Sequence, residues 1–481
     1  MKIKFKVISI LLVFALVATS LISCKSADEK QNGGSQSGGN TDVDDTVSKE
    51  AHNPAANITQ EFKDSLRGME VSLAWPWSVE EDYLLTDQYS EAYRARIKEV
   101  EAELGITFKE SGGRNTYYTA MIPTIMSGSP MASILFSTDQ YVPDYARAGV
   151  FADLTDAAKE IGLDFTASRF NDKSIGDTNI NGHQYGFFYM RAGASSIFYN
   201  KRVFRENNQP DLIELYNKGE WTFDKLTEIA KSLTKRKADG SIEFTGFASW
   251  AATEILQSTV YANDGKMVTL DGNKKPAVNF GDAKVKKAME YIYNWGATDR
   301  ILTGSPTTWD SPMNDFADGK IGMLLGTDTT INIIYSRKMQ DDFGIVPFPK
   351  GPDAAKPVFS RASSSYFFIP KTYQADAAKY LYIADRILGY DDVVTPELYF
   401  DNIIGTKITD RDSYSLYKKG FLASKSSDYS TVSGLIWSEP SIFQIATELI
   451  TGESTPQVID ARFSDMLKTI IAEKWEGMTI G

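Results

Sequence analysis

The sequence contains very little cysteine or histidine, the residues on which many catalytic and metal sites depend. Of 481 residues, one is cysteine, Cys24, and two are histidine, His52 and His183. This excludes a disulfide framework and any metal site built from several cysteines, and it leaves little for histidine-based metal sites or catalytic triads. We therefore predict no metal, no other cofactor and no catalytic residue, and we expect a protein that is not an enzyme.

The chain also lacks an excess of basic residues. It has 51 Lys and Arg against 63 Asp and Glu, a net charge of −12 that is spread along the sequence. Such a balance argues against a nucleic-acid groove or a polybasic membrane patch, so no nucleic-acid partner is predicted. Aromatic residues, in contrast, are plentiful, with 8 Trp, 24 Tyr and 26 Phe, and we expect some of these rings to contact a ligand.

A long apolar run occurs only at the N-terminus. Three lysines within the first six residues precede an apolar segment at 7–22, which is the layout of a secretory signal. The sequence LISC at 21–24 resembles the lipobox of bacterial lipoproteins, whose cysteine is lipidated; the alternative is an ordinary signal peptide with a chance cysteine. We interpret residues 1–23 as a lipoprotein signal peptide and Cys24 as the lipidation site, with palmitate as an acyl chain. The protein would then be anchored on the outer face of the cell membrane.

Residues 24–60 follow as a polar segment. They are rich in Gly, Ser, Asn, Asp, Gln and Lys and show no apolar periodicity, so they cannot offset the entropy of ordering and are predicted to form a flexible tether. No later stretch approaches the 20 or so apolar residues that a membrane span needs, so the body of the protein is not expected to cross the bilayer.

The body alternates between strand-like and helix-like patterns. Strands are predicted at 69–74, 106–108 and 132–136, separated by segments whose apolar residues recur at helical spacing. The same alternation returns further on, with strands predicted at 196–199, 321–325 and 343–346 and a helix at 222–233. The pattern favours two α/β units, each a mostly parallel sheet covered by helices, with no second flexible linker between them.

Several motifs resemble those of extracellular solute-binding proteins of the maltose-binding type. The segments NGHQYG at 181–186 and IFYNKRVF at 197–204 are similar to a "G-x-x-Y-G-x-P... Y-N-K-x-x-F" signature. Residues 220–226, 315–323 and 346–351 resemble three further landmarks of that family, in the same order. Each motif alone is weak, but their order and spacing behind a lipobox identify a maltose-binding-type lipoprotein of an ABC sugar importer.

This resemblance implies the periplasmic-binding-protein type II fold: two lobes, each a mixed sheet flanked by helices, joined by crossing hinge strands. By position, the first lobe would comprise 61–187 plus 362–410, and the second 188–361 plus 411–481. The implied function is to capture a carbohydrate, expected to be an oligosaccharide, by hinge closure and to deliver it to the permease subunits of an ABC transporter. A monomer is expected.

Candidate binding residues follow the predicted strands, because ligands of open α/β sheets bind beyond the carboxyl ends of strands. Trp75 and Trp77 follow the first strand, and indoles stack on pyranose rings; alternatively, they pack the edge of the lobe. Asp139 and Tyr141 follow the third strand. The Asp139 carboxylate can accept two sugar hydroxyls, or it caps the next helix.

In the second lobe, Trp250 follows a predicted strand and Asp328 lies at a predicted helix start, where it could bind solute or serve only as the N-cap. Trp437 lies near the position where the resemblance places a late sugar-stacking aromatic residue. Arg361 lies in the segment 359–365, where the resemblance places the second crossing between the lobes, and it is interpreted as bracing the hinge rather than binding an acidic sugar.

Two other classes of function remain compatible with the sequence. One is a surface-anchored glycoside hydrolase, which would need two carboxylates on either side of the scissile bond. No acid pair is singled out by its spacing, and neither Gly-x-Ser-x-Gly nor His-Glu-x-x-His occurs. The other is a lipoprotein that binds a peptide or another non-sugar solute.

Overall fold

The structure of the protein, a computed structural model, describes most of the chain after the predicted tether. The described residues are 58–77, 88–113, 116–167, 169–189, 194–302, 308–357, 364–389, 396–423, 428–437 and 439–481. Cys24, the predicted signal peptide, almost all of the tether and Arg361 lie outside them. Within the described ranges, no helix has both the length and the apolar composition needed for a membrane span.

Fourteen short strands are distributed along the described chain. They are β1 (Glu70–Ala74), β2 (Thr107–Ser111), β3 (Ile134–Thr138), β4 (Asn179–Ile180), β5 (His183–Gln184), β6 (Gly186–Phe187), β7 (Ser196–Asn200), β8 (Lys235–Arg236), β9 (Ile242–Ser249), β10 (Val268–Leu270), β11 (Pro276–Val278), β12 (Ile321–Gly326), β13 (Phe343–Pro347) and β14 (Ser365–Phe368).

Helices separate most of these strands. The α-helices are α1 (Gln60–Asp64), α2 (Gln88–Leu104), α3 (Tyr117–Met126), α4 (Val142–Ala148), α5 (Thr155–Ile161), α6 (Asp172–Asp177), α7 (Lys201–Glu206), α8 (Leu212–Asn217), α9 (Phe223–Leu233), α10 (Ala252–Ala262), α11 (Ala283–Tyr293), α12 (Ser311–Ala317), α13 (Asp328–Ser336), α14 (Ala377–Leu388), α15 (Pro396–Tyr399), α16 (Arg411–Ala423), α17 (Ile442–Thr451) and α18 (Pro456–Lys474). Short 3₁₀ or π turns lie at Asp139–Tyr141, Asn294–Thr298, Lys371–Asp376, Phe400–Ile404 and Gly405–Lys407.

The strands form two five-stranded sheets and two small hairpins. The first sheet has the order β2-β1-β3-β14-β6 and the second β13-β7-β12-β9-β8, while β4–β5 and β10–β11 are hairpins. In the first sheet β1 runs parallel to β2 and β3, but β14 is antiparallel to its neighbours. In the second, β7 is antiparallel to both β12 and β13. Both sheets are therefore mixed, which confirms the predicted fold class and replaces the mostly parallel sheets expected from the alternation alone.

Each of the first two chain crossings between the sheets joins a carboxyl edge to a carboxyl edge. The chain leaves β6 at Phe187 and enters β7 at Ser196, then leaves β13 at Pro347 and enters β14 at Ser365. Because β7 and β14 are antiparallel to their neighbours, their first residues lie at the carboxyl ends of β12 and β3. Each crossing thus connects the carboxyl edge of one sheet to that of the other. The first crossing is short enough to keep these edges within about 30 Å.

The chain then passes between the sheets again. Helix α14 packs against α2 and α5 beside the first sheet, whereas α16 contacts β13 and α17 contacts α10 beside the second. The turn at Phe400–Ile404 already contacts α13. The chain has therefore reached the helices of the second sheet by residue 400.

The last residues of the chain contact helix α4 and the turns of both hairpins. We call residues 474–481 the C-terminal strap. Lys474 Nζ lies 2.7 Å from Asp144 in α4, and the side chain of Asn181, in the β4–β5 turn, bonds to Gly477 and Thr479. The Ile480 amide donates to the Lys274 carbonyl, in the β10–β11 turn, over 3.0 Å. The strap thereby connects the β4–β5 hairpin, which precedes β6, to the β10–β11 hairpin, which lies between β9 and β12 in the chain.

Candidate functional site

The candidate site lies at the carboxyl edge of the first sheet, where β3 ends and β14 begins. Asp139 follows β3 directly, and Ser364 immediately precedes β14. The Asp139 amide donates to the Ser364 carbonyl over 3.0 Å, and the Ser364 amide donates to Asp139 Oδ2 over 3.0 Å. The carboxylate thus bonds across the sheet edge, and in the described structure it accepts no hydrogen bond from the α4 amides. This contradicts the alternative that Asp139 caps the following helix.

Helix α6 adds two charged side chains to this pair. Lys173 Nζ lies 3.6 Å from Asp139 Oδ2 and forms a salt bridge with Asp177 Oδ2. The Ser364 hydroxyl donates to Asp177 Oδ2 over 2.8 Å and lies 3.3 Å from Asp139 Oδ2. Lys173 and Asp177 are one helical turn apart, so both reach the same point. We call these four residues the Asp139 cluster.

The Asp139 carboxylate has unused hydrogen-bonding capacity. It is fully buried, and its Oδ1 atom has no hydrogen-bond partner among the described residues. Burial raises the pKa of Asp139 to about 7; the Lys173 ammonium lowers this pKa, and the Asp177 carboxylate raises it. An unsatisfied buried acceptor costs about 1–3 kcal/mol, so a hydroxyl donor placed beside Oδ1 would be strongly favoured.

A stack of tyrosine rings lies beside the cluster. The Tyr141 ring stacks on Tyr118 at 4.3 Å and on Tyr145 at 5.7 Å. The hydroxyls of Tyr145 and Tyr366, like that of Ser137, are buried and lack a well-formed hydrogen bond in the described structure. Tyr118 and Tyr141 are only partly buried. The predicted residue Tyr141 is therefore one member of an aromatic wall next to Asp139.

The two tryptophans after β1 contact each other and the sheet. The Trp75 and Trp77 rings stack at 5.4 Å, and each contacts Phe136, at 5.4 and 4.8 Å. Trp75 also donates its indole N–H to Glu110 Oε1 over 2.9 Å, whereas Trp77 keeps 39% of its surface exposed. Trp75 thus packs against the edge of the sheet, and part of the Trp77 side chain stays exposed to solvent. No described contact joins either one to the Asp139 cluster.

The second sheet brings Trp250 and Asp328 to one edge. Trp250 follows β9 and Asp328 follows β12, and these strands are parallel neighbours in register. The Trp250 indole N–H is buried without a hydrogen-bond partner in the described chain. Asp328 is the first residue of α13, whose N-cap is Thr327, so the interpretation of Asp328 as the N-cap is wrong. Asp328 also interacts with Tyr417 in α16: burial raises the pKa of Tyr417, and the charge of Asp328 raises this pKa further.

A buried acid that the sequence did not suggest lies beside them. Glu254, in the first turn of α10, is 2% exposed and accepts a hydrogen bond from the Ser195 hydroxyl. The Ser258 hydroxyl donates to it over 3.3 Å. Burial raises the pKa of Glu254 against these hydrogen bonds. An acidic residue one turn into a helix is common, so the sequence carried no signal for it.

The loop 428–437 carries the predicted residue Trp437 and a second aromatic residue, Tyr429. Trp437 is 58% exposed and contacts Phe443 at 5.1 Å, and no described contact joins it to the Asp139 cluster. The Tyr429 amide donates to the Val268 carbonyl. Burial is the main cause of the raised pKa of Tyr429; the charge of Asp177 raises this pKa further, and the charge of Lys173 lowers it. Tyr429 therefore interacts with the charges of the cluster from a loop that is bonded to β10.

Two mixed sheets joined at their carboxyl edges, with polar and aromatic side chains at those edges, define a two-lobed solute-binding fold. Residues 87–382 match the family of bacterial extracellular solute-binding proteins, and the chain belongs to this family. A curated relative is the diacetylchitobiose-binding protein DasA of Streptomyces coelicolor, 26% identical over 217 residues, which are 45% of this chain and 47% of DasA. The chain thus spans about half the length of that relative.

Solved structures share the fold over most of the chain. A solute-binding protein of Thermotoga lettingae bound with α-D-tagatose has a TM-score of 0.60 at 15% identity, covering 84% of this chain and 100% of its own. The GacH receptor of Streptomyces glaucescens, solved unliganded and with acarbose, has a TM-score of 0.61 at 16% identity, covering 84% and 99%. The maltodextrin-binding MalE domain of Bdellovibrio bacteriovorus, with maltotriose, has a TM-score of 0.58 at 13% identity, covering 84% and 99%.

Proposed function

We propose that the protein is a lipid-anchored extracellular receptor that captures an oligosaccharide between its lobes and delivers it to an ABC transporter permease. The observation that carries this proposal is the buried, unpartnered Asp139 Oδ1 at a sheet edge. It is supported by family membership and by relatives whose names or structures include diacetylchitobiose, acarbose and maltotriose. Cys24 would hold the lipid, and residues 24–60 would form the tether.

The proposed mechanism is hinge closure. The lobes are taken as 61–187 plus 362–410 and 188–361 plus 411–481, with the last boundary moved back to about residue 400 because Phe400–Ile404 contacts α13, and with the crossings acting as the hinge. A solute that bonds to both carboxyl edges stabilises the closed arrangement, because its differential affinity for that arrangement shifts the equilibrium. A solute lacking the matching hydroxyls would leave buried acceptors unpaired and would be rejected.

Each edge has a proposed role in this site. In the first lobe, Asp139 accepts solute hydroxyls, Trp77 stacks on a sugar ring and Tyr141 lines the wall. Trp75 supports Trp77. In the second lobe Trp250, Asp328 and Trp437 are the proposed contacts. Tyr429 and Trp309, which is 54% exposed just before α12, join this second set.

Tryptophan fluorescence titrations test the assignment. The probes are N,N′-diacetylchitobiose, maltotriose and mannobiose, each recovered afterwards and analysed for cleavage. Saturable quenching by at least one intact sugar, with affinity reduced about tenfold or more in Asp139→Asn and Trp77→Ala, supports the proposal. Met126→Ala is the matched control, because Met126 is 68% exposed and ends α3 before β3 begins, at the other edge of the sheet.

Three results would argue against the proposal. Release of a cleaved product would favour a glycoside hydrolase. A response to peptides but to no sugar would favour a non-sugar solute. Unchanged affinity in Asp139→Asn and Trp77→Ala would place the site elsewhere. Anchoring is tested separately, by metabolic labelling with an alkyne analogue of palmitate: the label should appear on the parent protein and be lost in Cys24→Ala.

A further inference from the structure

Lys173 occupies an unusual position for a lysine. Its side chain is only 10% exposed, and its ammonium group lies within salt-bridge distance of two buried carboxylates, Asp139 and Asp177. Long cationic side chains normally keep the charged group in water, so burial at this point needs a counter-charge. Two carboxylates meet that need, and both lie at the edge to which the solute site is assigned.

We propose that Lys173 is a positioning residue of the solute site, which holds the Asp139 carboxylate ionised and oriented so that its Oδ1 atom accepts a solute hydroxyl. This inference rests on the proposed function and deepens it. Lys173 itself does not touch solute in this scheme. It approaches Asp139 from the Oδ2 side, and Oδ1 is left as the unpartnered atom.

The physical reason is that nothing else in the cluster can replace the ammonium charge. Ser364 reaches both carboxylates, but a hydroxyl has only one hydrogen to donate. The Ser364 amide adds one more bond to Asp139. Among the described residues, the other titratable groups that interact with the charges of the cluster are Tyr366 on β14 and Tyr429 on the loop 428–437, and neither carries a positive charge.

Removal of the ammonium would therefore favour proton uptake by Asp139. Two carboxylates that share a buried site cannot both stay ionised without a counter-charge. Burial and Asp177 already raise the pKa of Asp139, and Lys173 opposes them. A protonated carboxyl loses the stronger, charge-assisted bond that an ionised carboxylate forms with a hydroxyl. Solute binding would then require a higher pH.

The first experiment needs no solute. Asp139 is titrated by carbon-13 NMR of its side-chain carboxyl in the intact protein, with Asp139→Asn identifying the resonance. Lys173→Met and Lys173→Gln should raise the titration midpoint of Asp139 by about one pH unit or more, and Lys173→Arg should restore it. Lys159→Met is the control, because Lys159 pairs with Asp156 on an exposed face of α5 at 3.0 Å.

The second experiment measures the affinity for N,N′-diacetylchitobiose or maltotriose from pH 5 to 9. In the parent, affinity should decline as pH falls. In Lys173→Met and Lys173→Gln this decline should move to higher pH, by the same number of pH units as the NMR midpoint of Asp139. Because the Asp139 pKa in the parent is about 7, a midpoint raised by one pH unit should lower the affinity at pH 7 about fivefold, and each further unit should lower it about tenfold. A midpoint that does not move in Lys173→Met and Lys173→Gln overturns the inference. Failure of the parent protein to bind any sugar overturns the proposed function instead, and the NMR titration still decides the role of Lys173.

Discussion

Asp139 and Ser364 bond to each other through both of their backbone amides. The Asp139 amide donates to the Ser364 carbonyl and the Ser364 amide donates to Asp139 Oδ2, each over 3.0 Å. One partner directly follows β3, and the other is the last residue of the second crossing before β14. The proposed solute acceptor and the end of a crossing are therefore one hydrogen-bonded unit, and a change in the charge of Asp139 acts directly on the start of β14.

Asparagine at position 139 should change how stability depends on pH. Burial raises the pKa of Asp139 to about 7 from 3.8 in the unfolded chain. The stability this group contributes is present below the unfolded pKa and is lost as pH rises through the folded pKa. As pH rises from 4 to 7, the parent should lose this stability and Asp139→Asn should not. The stability of Asp139→Asn relative to the parent should therefore increase, by at most about 1.4 kcal/mol per pH unit.

Urea denaturation at intervals of one pH unit measures this difference. Asp144→Asn is the control, because Asp144 is partly exposed and forms its ion pair with Lys474 in the strap. A stability difference between Asp139→Asn and the parent that is flat from pH 4 to 8 would contradict the prediction. Asp139→Asn should also lose solute affinity, which would make Asp139 a group that destabilises the fold while serving the site.

A second buried ion pair should be costly to break. Arg169 Nη2 lies 2.6 Å from Asp385 Oδ1, both side chains are almost fully buried, and the Tyr189 hydroxyl donates to the same oxygen over 2.6 Å. Arg169→Met leaves a buried carboxylate without its cation, so unfolding free energy should fall by about 3–5 kcal/mol.

A double-mutant cycle with Asp385→Leu separates the pair from its surroundings. Arg169→Met with Asp385→Leu should recover part of the loss, because neither charge then remains buried alone. Denaturant unfolding of the four proteins gives the coupling energy. Additive losses in the double variant would show that the ion pair is not the source of the effect.

The C-terminal strap should depend on the side chain of Asn181. The side-chain nitrogen of Asn181 donates to the Gly477 carbonyl. The side-chain oxygen of Asn181 accepts from both the backbone amide and the hydroxyl of Thr479. Asn181 has φ near +53°, so Asn181→Gly removes these bonds without adding backbone strain. Stability should fall by about 1–2 kcal/mol, and the amides of residues 479–481 should exchange faster with deuterium.

Asn208→Gly is a matched control for that prediction. Asn208 also has a positive φ, of +51°, but it follows α7 and makes no described contact with the strap. Equal effects of the two substitutions on stability and exchange would mean that the strap bonds contribute nothing beyond the backbone. A selective effect of Asn181→Gly would establish that the strap holds the β4–β5 turn.

Local patterns in the sequence predict much of the fold. The strand expected at 69–74 is β1 (Glu70–Ala74), the helix expected at 222–233 is α9 (Phe223–Leu233), and the strand expected at 343–346 is β13 (Phe343–Pro347). β1 and α9 have apolar periodicity and bury mainly one face, and β13 is a short apolar run that is almost entirely buried, so pattern and structure agree. The antiparallel insertion of β7 and β14 is not predictable from alternation, because strand direction depends on where the crossings return.

The site is predictable only where it follows a strand. Asp139 and Tyr141 can be located from the sequence because residues after β3 must lie at its carboxyl end. Ser364 cannot, because it is 225 positions from Asp139 and reaches it only through the pairing of β14 with β3. Lys173 and Asp177 show an ordinary i,i+4 spacing, which is typical of solvated helix faces. Their burial depends on how α6 packs against the sheet edge, which no local pattern records.

An ion pair at a partly exposed edge should make stability sensitive to acid. Arg386 forms a two-point contact with Glu103, at 2.6 and 3.1 Å, and Lys63 Nζ lies 3.1 Å from the same carboxylate. The Arg386 hydrogen bond, against burial, lowers the pKa of Glu103 to about 2 from 4.5. The stabilisation is therefore present above pH 4.5 and is lost as pH falls toward 2. Because Glu103 is about one-third exposed, screening limits it to about 1 kcal/mol.

Glu103→Gln should accordingly destabilise the protein at pH 7 and approach the parent at pH 3. Denaturant midpoints at both pH values, at low and at high salt, measure the difference, which salt should reduce because a partly exposed pair is screened. Glu70→Gln is the control, since Glu70 pairs with Lys109 at 3.4 Å with both side chains well exposed. If the gap between Glu103→Gln and the parent is the same at pH 3 and pH 7, the side chain stabilises by packing, and the ionised contact with Arg386 is not the cause.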